Sequence, residues 1–227
     1  INLSTQHNLI LNKSQELLMS QLMERRKNKE PVAYILNKKD FWNETYFVDQ
    51  RVLIPRPETE ILIEMVLKKI KDKSKVLQLL DIGCGSGYLT DILKSTFNFV
   101  VGTDISFNTL LEQNYKTENV ICCNSADALN QKFDLIICNL PYLATDEIID
   151  VATDGGKDGL EIPVKIITSA LPHLSQKGKF LFVTSSLSDY MGLVDFVKSK
   201  NFEAKIIDKK KLFYEELIIV QVNHLLS

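Results

Sequence analysis

The tetrapeptide Asn139-Leu140-Pro141-Tyr142 places a side-chain amide, a main-chain carbonyl, a rigid ring and an aromatic ring at one point of the chain. It follows an apolar run, 134–138, of the kind found in a β-strand covered on both faces. Pro141 has no N–H to donate to a sheet, so strand pairing has to end there. Ligands of open α/β sheets bind beyond the strand ends. We therefore take the four residues as candidate catalytic residues.

A second segment suited to ligand binding is the glycine-rich stretch 81–87, DIGCGSG. Glycine allows a tight turn and lets a ligand approach the main chain closely. Asp81 precedes the glycines, where its carboxylate would repel a pyrophosphate and attract the amino group of an amino acid. This pattern favours S-adenosylmethionine over a nicotinamide dinucleotide, although a tight turn without a ligand has the same local sequence.

Two further acids follow predicted strands. Asp104 comes about 20 residues after the first glycine, where a carboxylate can hydrogen-bond both hydroxyls of a ribose. Asp127 follows the strand predicted at 120–123, and its carboxylate could accept a hydrogen bond from the amino group of adenine. The alternative role of Asp127 is to cap a helix or turn.

The elements that would position these residues alternate between strand and helix from Val76 onward. Strands are predicted at 76–80, 99–102, 120–123, 134–138, 179–184, 203–208 and 216–222, and helices at 88–93, 162–174 and 188–199. This alternation is typical of an α/β, Rossmann-like fold with a mostly parallel, seven-stranded sheet. The connection before the last strand is too short for a crossover helix, so the last strand should be antiparallel.

Residues 1–50 are predicted to form a small N-terminal lobe, and residues 51–227 the ligand-binding domain. In the lobe we expect a helix capped by Ser14, then a β-hairpin that turns at 37–39, with the single tryptophan, Trp42, in the core. The second domain would begin with an extended segment stiffened by two prolines, followed by a helix starting at Glu58 or Thr59. The acids there could serve the site or only the helix N-terminus.

The composition limits the classes of function. The net charge of −2 gives no overall basic field that would recruit nucleic acid. The four cysteines lack C-x-x-C spacing and the three histidines are scattered, which predicts reduced thiols, a cytoplasmic location and no metal site. No apolar run approaches the roughly 20 residues of a membrane span, so neither a membrane partner nor a signal peptide is expected.

Several segments together carry a resemblance to a known family. They are 30–35 (EPVAYI), Phe41-Trp42, 53–60 (LIPRPETE), the 81–87 turn and Asn139-x-Pro141-Tyr142. This set resembles the HemK/PrmC family of S-adenosylmethionine-dependent methyltransferases. Members of that family methylate N5 of the glutamine in the Gly-Gly-Gln motif of peptide-chain release factors. The resemblance implies a class I methyltransferase fold, a release factor as protein substrate and a role in translation termination.

Two features depart from the family pattern. Leu140 stands where the family usually has proline, but the contact expected there uses a main-chain carbonyl, which leucine also supplies. The region before the 53–60 segment is shorter than the N-terminal helical domain of bacterial members. Together with the glycine-rich segment 154–159, this resembles a short, archaeal-like form. Some archaeal and eukaryotic relatives work with a small zinc-binding activator subunit, which makes such a subunit a candidate partner.

A mechanism follows for the candidate residues. The Asn139 side-chain oxygen and the Leu140 carbonyl would each accept one N–H of the substrate amide, and Tyr142 would pack against its plane. The alternative role of Tyr142 is to anchor the loop. Arg56 and Glu58 would close the pocket. The candidate cofactor-binding residues are Arg56, Thr59, Asp81, Gly83, Cys84, Gly85, Gly87, Asp104, Ile105, Asp127, Ala128 and Asn139.

Two other functions fit part of this sequence. Asn-Leu-Pro-Tyr also resembles the motif of rRNA adenine dimethyltransferases, so an N-methyltransferase acting on an adenine or guanine amino group in rRNA or DNA is the alternative. The near-neutral charge and the 53–60 segment argue against it, and no strong nucleic-acid binding is expected. A non-catalytic module that keeps cofactor affinity is the other alternative, against which the intact Asn139 and glycine turn argue.

Overall fold

The computed structural model of the protein describes residues 11–51, 53–69, 77–111 and 119–225. The chain divides into two compact units, Ile1–Ile54 and Pro55–Ser227. Among the residues described, no helix combines the length and the apolar character needed to cross a membrane.

The first unit begins with helix α1 (Lys13–Lys27). Its N-cap is Asn12, whose side chain accepts from the Gln15 N–H at 3.0 Å while the Gln15 side chain accepts from the Asn12 N–H. This reciprocal pair satisfies two N–H groups that the helix leaves open. The prediction of Ser14 as the cap is therefore wrong. The Ser14 hydroxyl instead donates to the Asn12 side chain at 2.6 Å.

A short helix and a hairpin follow: α2 (Val32–Leu36), β1 (Lys39–Phe41) and β2 (Glu44–Tyr46), with β1 antiparallel to β2. The hairpin is confirmed, but the predicted turn at 37–39 is wrong. Asn37, at φ 50°, ends α2, and Trp42, at φ 56°, takes the hairpin turn. Trp42 is therefore only half-buried, at the turn. The two strands of the hairpin instead bury Phe41 and Tyr46.

The second unit holds the remaining elements. In chain order they are α3 (Pro57–Lys69), β3 (Gln78–Ile82), α4 (Tyr88–Leu93), β4 (Phe99–Asp104), α5 (Phe107–Leu111), β5 (Val120–Cys122), β6 (Phe133–Asn139), β7 (Leu143–Ala144), β8 (Asp154–Gly156), α6 (Glu161–Ala170), β9 (Leu174–Ser185), α7 (Tyr190–Ser199), β10 (Phe202–Lys211) and β11 (Glu216–His224). Two short 3₁₀ turns flank α6, at Lys157–Gly159 and Leu171–His173.

The main sheet has seven strands in the order β10-β11-β9-β6-β3-β4-β5. Strand β3 is parallel to β4 and β6, whereas β11 is antiparallel to β9 and β10. The predicted fold class, mostly parallel with an antiparallel last strand, is confirmed. The chain leaves β3 toward β4 and β5 and then returns to place β6 on the other side of β3. This reversal puts a crevice at the carboxyl ends of β3 and β6, where open sheets bind ligands.

Strand β6 occupies the centre of the core. Its residues Leu135, Ile136, Ile137 and Cys138 are buried, as expected for a strand covered on both faces. The neighbouring strand β9, which pairs with β6 in the same sheet, contributes Phe180 and Phe182, with ring centroids 5.5 Å apart. Packing on both faces fixes where β6 ends, and so fixes the position of the residues that follow it.

Some predicted boundaries were wrong for physical reasons. The helix predicted at 162–174 ends at Ala170, because Pro172 has no N–H to continue it. The strand predicted at 203–208 continues through the lysines 209–211 in β10, because their main chains pair with β11. The start of the strand predicted at 76–80 lies outside the described residues.

Candidate active site

Asp81 lies at the carboxyl end of β3 and is only 1% exposed. Its carboxylate accepts a hydrogen bond from Thr90 Oγ1 at 2.7 Å. Burial raises the pKa of Asp81 from 3.8 to about 7; the Thr90 hydrogen bond opposes the rise and the nearby Asp104 charge adds to it. Within the described part of the chain, no cation is among the groups that shift the pKa of Asp81, so nothing there offsets its lost hydration. The amino group of an amino acid would supply that cation.

The glycine turn after β3 leaves its main chain open. Gly83 and Gly85 have φ values of +74° and +54°, in the left-handed region that glycine adopts without strain. A Cβ atom built on either residue would meet nothing within 4 Å, so open space lies beside the turn. The thiol of Cys84 packs instead against Gly102, where a Cβ would lie 2.8 Å from the sulfur. Cys84 would therefore contribute to a cofactor site through its main chain.

Asp104, at the end of β4, fixes the other side of this turn. One carboxylate oxygen accepts from the Gly85 N–H at 2.8 Å and the other from the Ser106 N–H, also at 2.8 Å. Ile105 follows it with an apolar side chain 60% exposed. A ribose contact by Asp104 and a cofactor contact by Ile105 stay predictions.

Asp127 and Ala128 lie in the exposed turn after β5. The Asp127 carboxylate accepts from Ser169 Oγ at 2.5 Å and from Asn124 Nδ2 at 3.1 Å. Ser169 belongs to α6, so Asp127 links this turn to that helix through a side-chain hydrogen bond. An adenine contact by Asp127 or Ala128 stays a prediction.

Asn139 is the last residue of β6, and only the nitrogen of its side-chain amide has a hydrogen-bond partner among the described residues. Its Nδ2 donates to Thr59 Oγ1, at the start of α3, at 3.5 Å. Its Oδ1 is buried and has no hydrogen-bond partner among the described residues. A buried polar atom left unpaired costs roughly 1–3 kcal/mol, so a ligand N–H that reached Oδ1 would gain that amount. This is the acceptor that the sequence predicted.

Leu140 continues the same edge of the crevice. Its N–H donates to the Val183 carbonyl at 3.2 Å, and its side chain is 2% exposed in the core. No group in the described part of the chain hydrogen-bonds its carbonyl. The side chain that replaces the usual proline is therefore buried in the core, and the role of the carbonyl as the second acceptor stays a prediction.

A glycine-rich segment that sequence reasoning did not assign to the site packs on Pro141 and Tyr142. A Cβ on Gly155, in β8, would lie 2.8 Å from the Pro141 carbonyl oxygen, and a Cβ on Gly159 would overlap the Tyr142 carbonyl. Asp154 anchors the segment by accepting from the Asp150 and Ile149 N–H groups, which lower the pKa of its carboxyl. The clustered glycines in 154–159 were the sequence signal for this close packing.

Tyr142 is 6% exposed and lies among charged groups. Burial raises its pKa, the Glu215 and Glu58 carboxylates add to that rise, and Arg56 opposes it. Tyr142 therefore stays protonated at neutral pH and can donate its hydroxyl hydrogen to Glu215. The structure thus brings Arg56 and Glu58 near Tyr142, and it adds Glu215, which no local sequence pattern indicates.

The described residues do not provide a cluster of metal ligands. In residues 11–51, 53–69, 77–111 and 119–225, no group of His, Cys, Asp and Glu is placed to hold a metal ion. The four cysteines are free thiols, of which Cys84 and Cys138 are buried.

These features define a class I S-adenosylmethionine-dependent methyltransferase. Residues 57–214 match the family model described as "Methyltransferase small domain". The chain is 33% identical over 211 residues to the release factor glutamine methyltransferase of Buchnera aphidicola subsp. Schizaphis graminum, covering 85% of this chain and 76% of that protein. It is 36% identical over 185 residues to the protein of that name from Lactococcus lactis, covering 73% and 68%.

The chain belongs to the release factor glutamine methyltransferase family. A solved structure described as the E. cuniculi Mtq2–Trm112 complex, responsible for methylation of the eRF1 translation termination factor, has the same fold. It matches with a TM-score of 0.65 and 19% identity, over 78% of this chain and all of that one. The family resemblance and the cofactor inferred from the sequence, S-adenosylmethionine, are both confirmed.

Proposed function

We propose that this protein methylates N5 of a glutamine side chain in the Gly-Gly-Gln motif of a peptide-chain release factor. The observation that carries the proposal is the buried, unpartnered Oδ1 of Asn139 at the carboxyl end of β6. A primary amide presents two N–H groups, and Asn139 Oδ1 with the neighbouring Leu140 carbonyl offers two acceptors for them. Membership in the release factor glutamine methyltransferase family supports the same substrate.

The residues of the crevice suit the cofactor. Asp81 would pair with its amino group, the open turn at Gly83 and Gly85 would admit its amino-acid part, and Asp104 would bind its ribose hydroxyls. When bound, S-adenosylmethionine supplies a methyl group made electrophilic by the adjacent sulfonium. Arg56, Thr59, Asp127 and Ala128 complete the proposed cofactor contacts.

The chain's own contribution to the reaction is to hold a weak nucleophile in place. An amide nitrogen is unreactive because its lone pair is delocalised into the carbonyl. By accepting both N–H groups, Asn139 Oδ1 and the Leu140 carbonyl would fix the nitrogen and stabilise the positive charge that develops on it. The methylated nitrogen then loses one proton to solvent, so no strong base is needed. The neutral Tyr142 ring would pack on the amide plane.

We also propose the organisation and setting of the protein. Residues 51–227 would form the methyltransferase domain and residues 1–50 a small lobe; the compact unit from Pro55 onward and the family match over 57–214 support this division. A small zinc-binding activator subunit is a proposed partner, because the eRF1-methylating neighbour was solved as a complex with Trm112. The four free thiols suit a cytoplasmic location.

The test is transfer of a radiolabelled methyl group from S-adenosylmethionine to three substrates. We expect label on a purified release factor, none on its Gln→Ala version and none on rRNA. Label on rRNA, or equal label on the Gln→Ala factor, would overturn the assignment and favour an amino group of a nucleobase as the target.

A further inference from the structure

The hairpin between β10 and β11 ends in two aromatic side chains that project into solvent. Phe213 is 90% exposed and Tyr214 is 87% exposed. Their ring centroids lie 4.8 Å apart at an interplanar angle of 74°. The Leu212 N–H donates to the Glu215 carbonyl at 2.8 Å and closes the turn beneath them. We call Phe213 and Tyr214 the aromatic tip. Adjacent exposed aromatic residues are uncommon on free surfaces and are typical of protein interfaces.

The aromatic tip is continuous with the active site through the next residue, Glu215. The Glu215 carboxylate accepts from Ser185 Oγ at 2.5 Å and lies close enough to Tyr142 to raise the pKa of its hydroxyl. Just below the hairpin turn, Ser186 and Glu216 exchange two hydrogen bonds, at 2.8 and 2.9 Å. The tip is therefore held at a fixed position near the carboxyl end of β9, the strand that pairs with β6.

A further apolar side chain lies at the same place. Leu187 is 48% exposed, and its N–H donates to Ser185 Oγ at 3.1 Å; it follows Ser186, the residue that contacts the hairpin beside its turn. Leu187 and the aromatic tip are thus exposed apolar side chains on two segments that meet at Ser186 and Glu216. Phe and Tyr provide such area at low entropic cost, because each has only two rotatable side-chain bonds.

We propose that the aromatic tip is a docking contact for the polypeptide that carries the target glutamine. This inference rests on the proposed function. A glutamine bound at Asn139 is joined to main chain on both sides, and the flanking residues have to leave the crevice across neighbouring surface. The tip directly precedes Glu215, whose carboxylate acts on Tyr142, so a chain that leaves the crevice at Tyr142 would reach the tip and bury its two exposed rings.

Single-stranded nucleic acid is the other occupant that aromatic residues beside lysines can bind. The lysines 209–211 do precede the tip on β10. However, Lys209 is paired with Glu216 at 3.4 Å, and Glu215 and Glu216 place two acids directly after the rings. The rings also stand at 74° to each other, so they do not form a flat platform for successive bases. These features favour a polypeptide.

The test compares a Phe213→Ala/Tyr214→Ala double variant with wild type in steady-state methylation of an intact release factor. A matched control is Leu111→Ala, which removes another exposed apolar side chain, 66% exposed, beside the opposite edge strand. We expect the double variant to raise KM for the release factor at least about tenfold. Its kcat at saturation should stay within about twofold, and its S-adenosylmethionine affinity by calorimetry should be unchanged. The control should match wild type.

Three results would overturn the docking role: an unchanged KM, a fall in kcat with KM unchanged, or salt-sensitive binding of an oligouridine that the double variant loses. Failure of the wild-type enzyme to methylate any release factor would instead overturn the proposed function, and with it this role. The two failures are distinguishable, because only the second is seen without a variant.

Discussion

The backbone of Gly159 lies directly against the carbonyl oxygen of Tyr142, with no room for a Cβ atom between them. Gly155 has the same relationship to the Pro141 carbonyl. The main chain of the tetrapeptide that should bind the substrate amide is thus packed against the glycine-rich segment 154–159. Gly159 also has φ +68°, which a side chain would strain further.

Substitution of Gly159 should therefore damage catalysis more than cofactor binding. In Gly159→Ala the new methyl group would push the Tyr142 carbonyl, and with it Leu140, out of position. We expect kcat to fall at least about tenfold, because a small misplacement of a reacting group has a cost of that order or more. The affinity for S-adenosylmethionine, measured by calorimetry, should stay at the wild-type value. Lys157→Ala, an exposed residue of the same turn, is the control. Wild-type kcat in Gly159→Ala would show that this packing does not position the tetrapeptide.

Removal of the unpartnered acceptor should abolish most turnover. Asn139→Ala is expected to reduce methyl transfer to a release factor at least about 100-fold, the scale of losing one transition-state acceptor. Cofactor binding should remain near normal. Asn130→Ala, which removes an exposed asparagine before β6, should behave as wild type. Retained turnover in Asn139→Ala would exclude Asn139 from the mechanism.

Local patterns in the sequence were enough to predict the strands of the main sheet, the glycine turn and the place of Asn139 at the end of β6. Two of these features are a buried strand that a proline stops and a glycine turn between a strand and a helix. Each is determined by residues that are close together in the sequence, so a local pattern predicts it. The cap at Asn12 and the hairpin turn at Trp42 were missed because several nearby residues could fill each role. Their choice depends on a few hydrogen bonds that no periodicity reveals.

Residues that support the site from distant parts of the chain had no such signal. Glu215 reaches Tyr142 only because β11 pairs with β9, which in turn pairs with β6. Asp127 is engaged by Ser169 only after α6 packs against the sheet. These contacts come from topology, whereas the predictions relied on residues close together in sequence.

Stability of the cofactor-free enzyme should depend on pH through Asp81. Its folded-state pKa of about 7 exceeds the ordinary 3.8, so the folded state binds the proton more tightly. Stability is therefore expected to fall as pH rises from about 4 to 7, by up to roughly 4 kcal/mol at 1.4 kcal/mol per pKa unit. Asp81→Asn should remove this loss and raise the free energy of unfolding at pH 8, measured with urea. Asp146→Asn, at an exposed acid, should not. An identical pH dependence in Asp81→Asn and wild type would contradict the assignment.

The same carboxyl should link cofactor affinity to pH. Pairing with a positively charged amino group requires the ionised form of Asp81, so binding should release protons below about pH 7 and tighten as pH rises toward it. Calorimetry in buffers of different ionisation enthalpy measures the protons released. Asp81→Asn should bind more weakly and without this proton release. Proton release that persists in the variant would assign the linkage to another group.

Glu215 should act on catalysis through the orientation of Tyr142. Glu215→Ala removes the carboxylate beside the Tyr142 hydroxyl, which is also the acceptor for Ser185 Oγ. Both hydroxyls then lose that carboxylate, so we expect kcat to fall several-fold. Glu215→Gln keeps an acceptor and should restore most of kcat, while the loss of negative charge lowers the pKa of Tyr142 in an ultraviolet titration. Glu216→Ala, whose side chain pairs with Lys209 instead, is the control. A general loss of stability would lower kcat in both Glu215 variants alike, whereas recovery in Glu215→Gln alone requires the hydrogen bond to Tyr142.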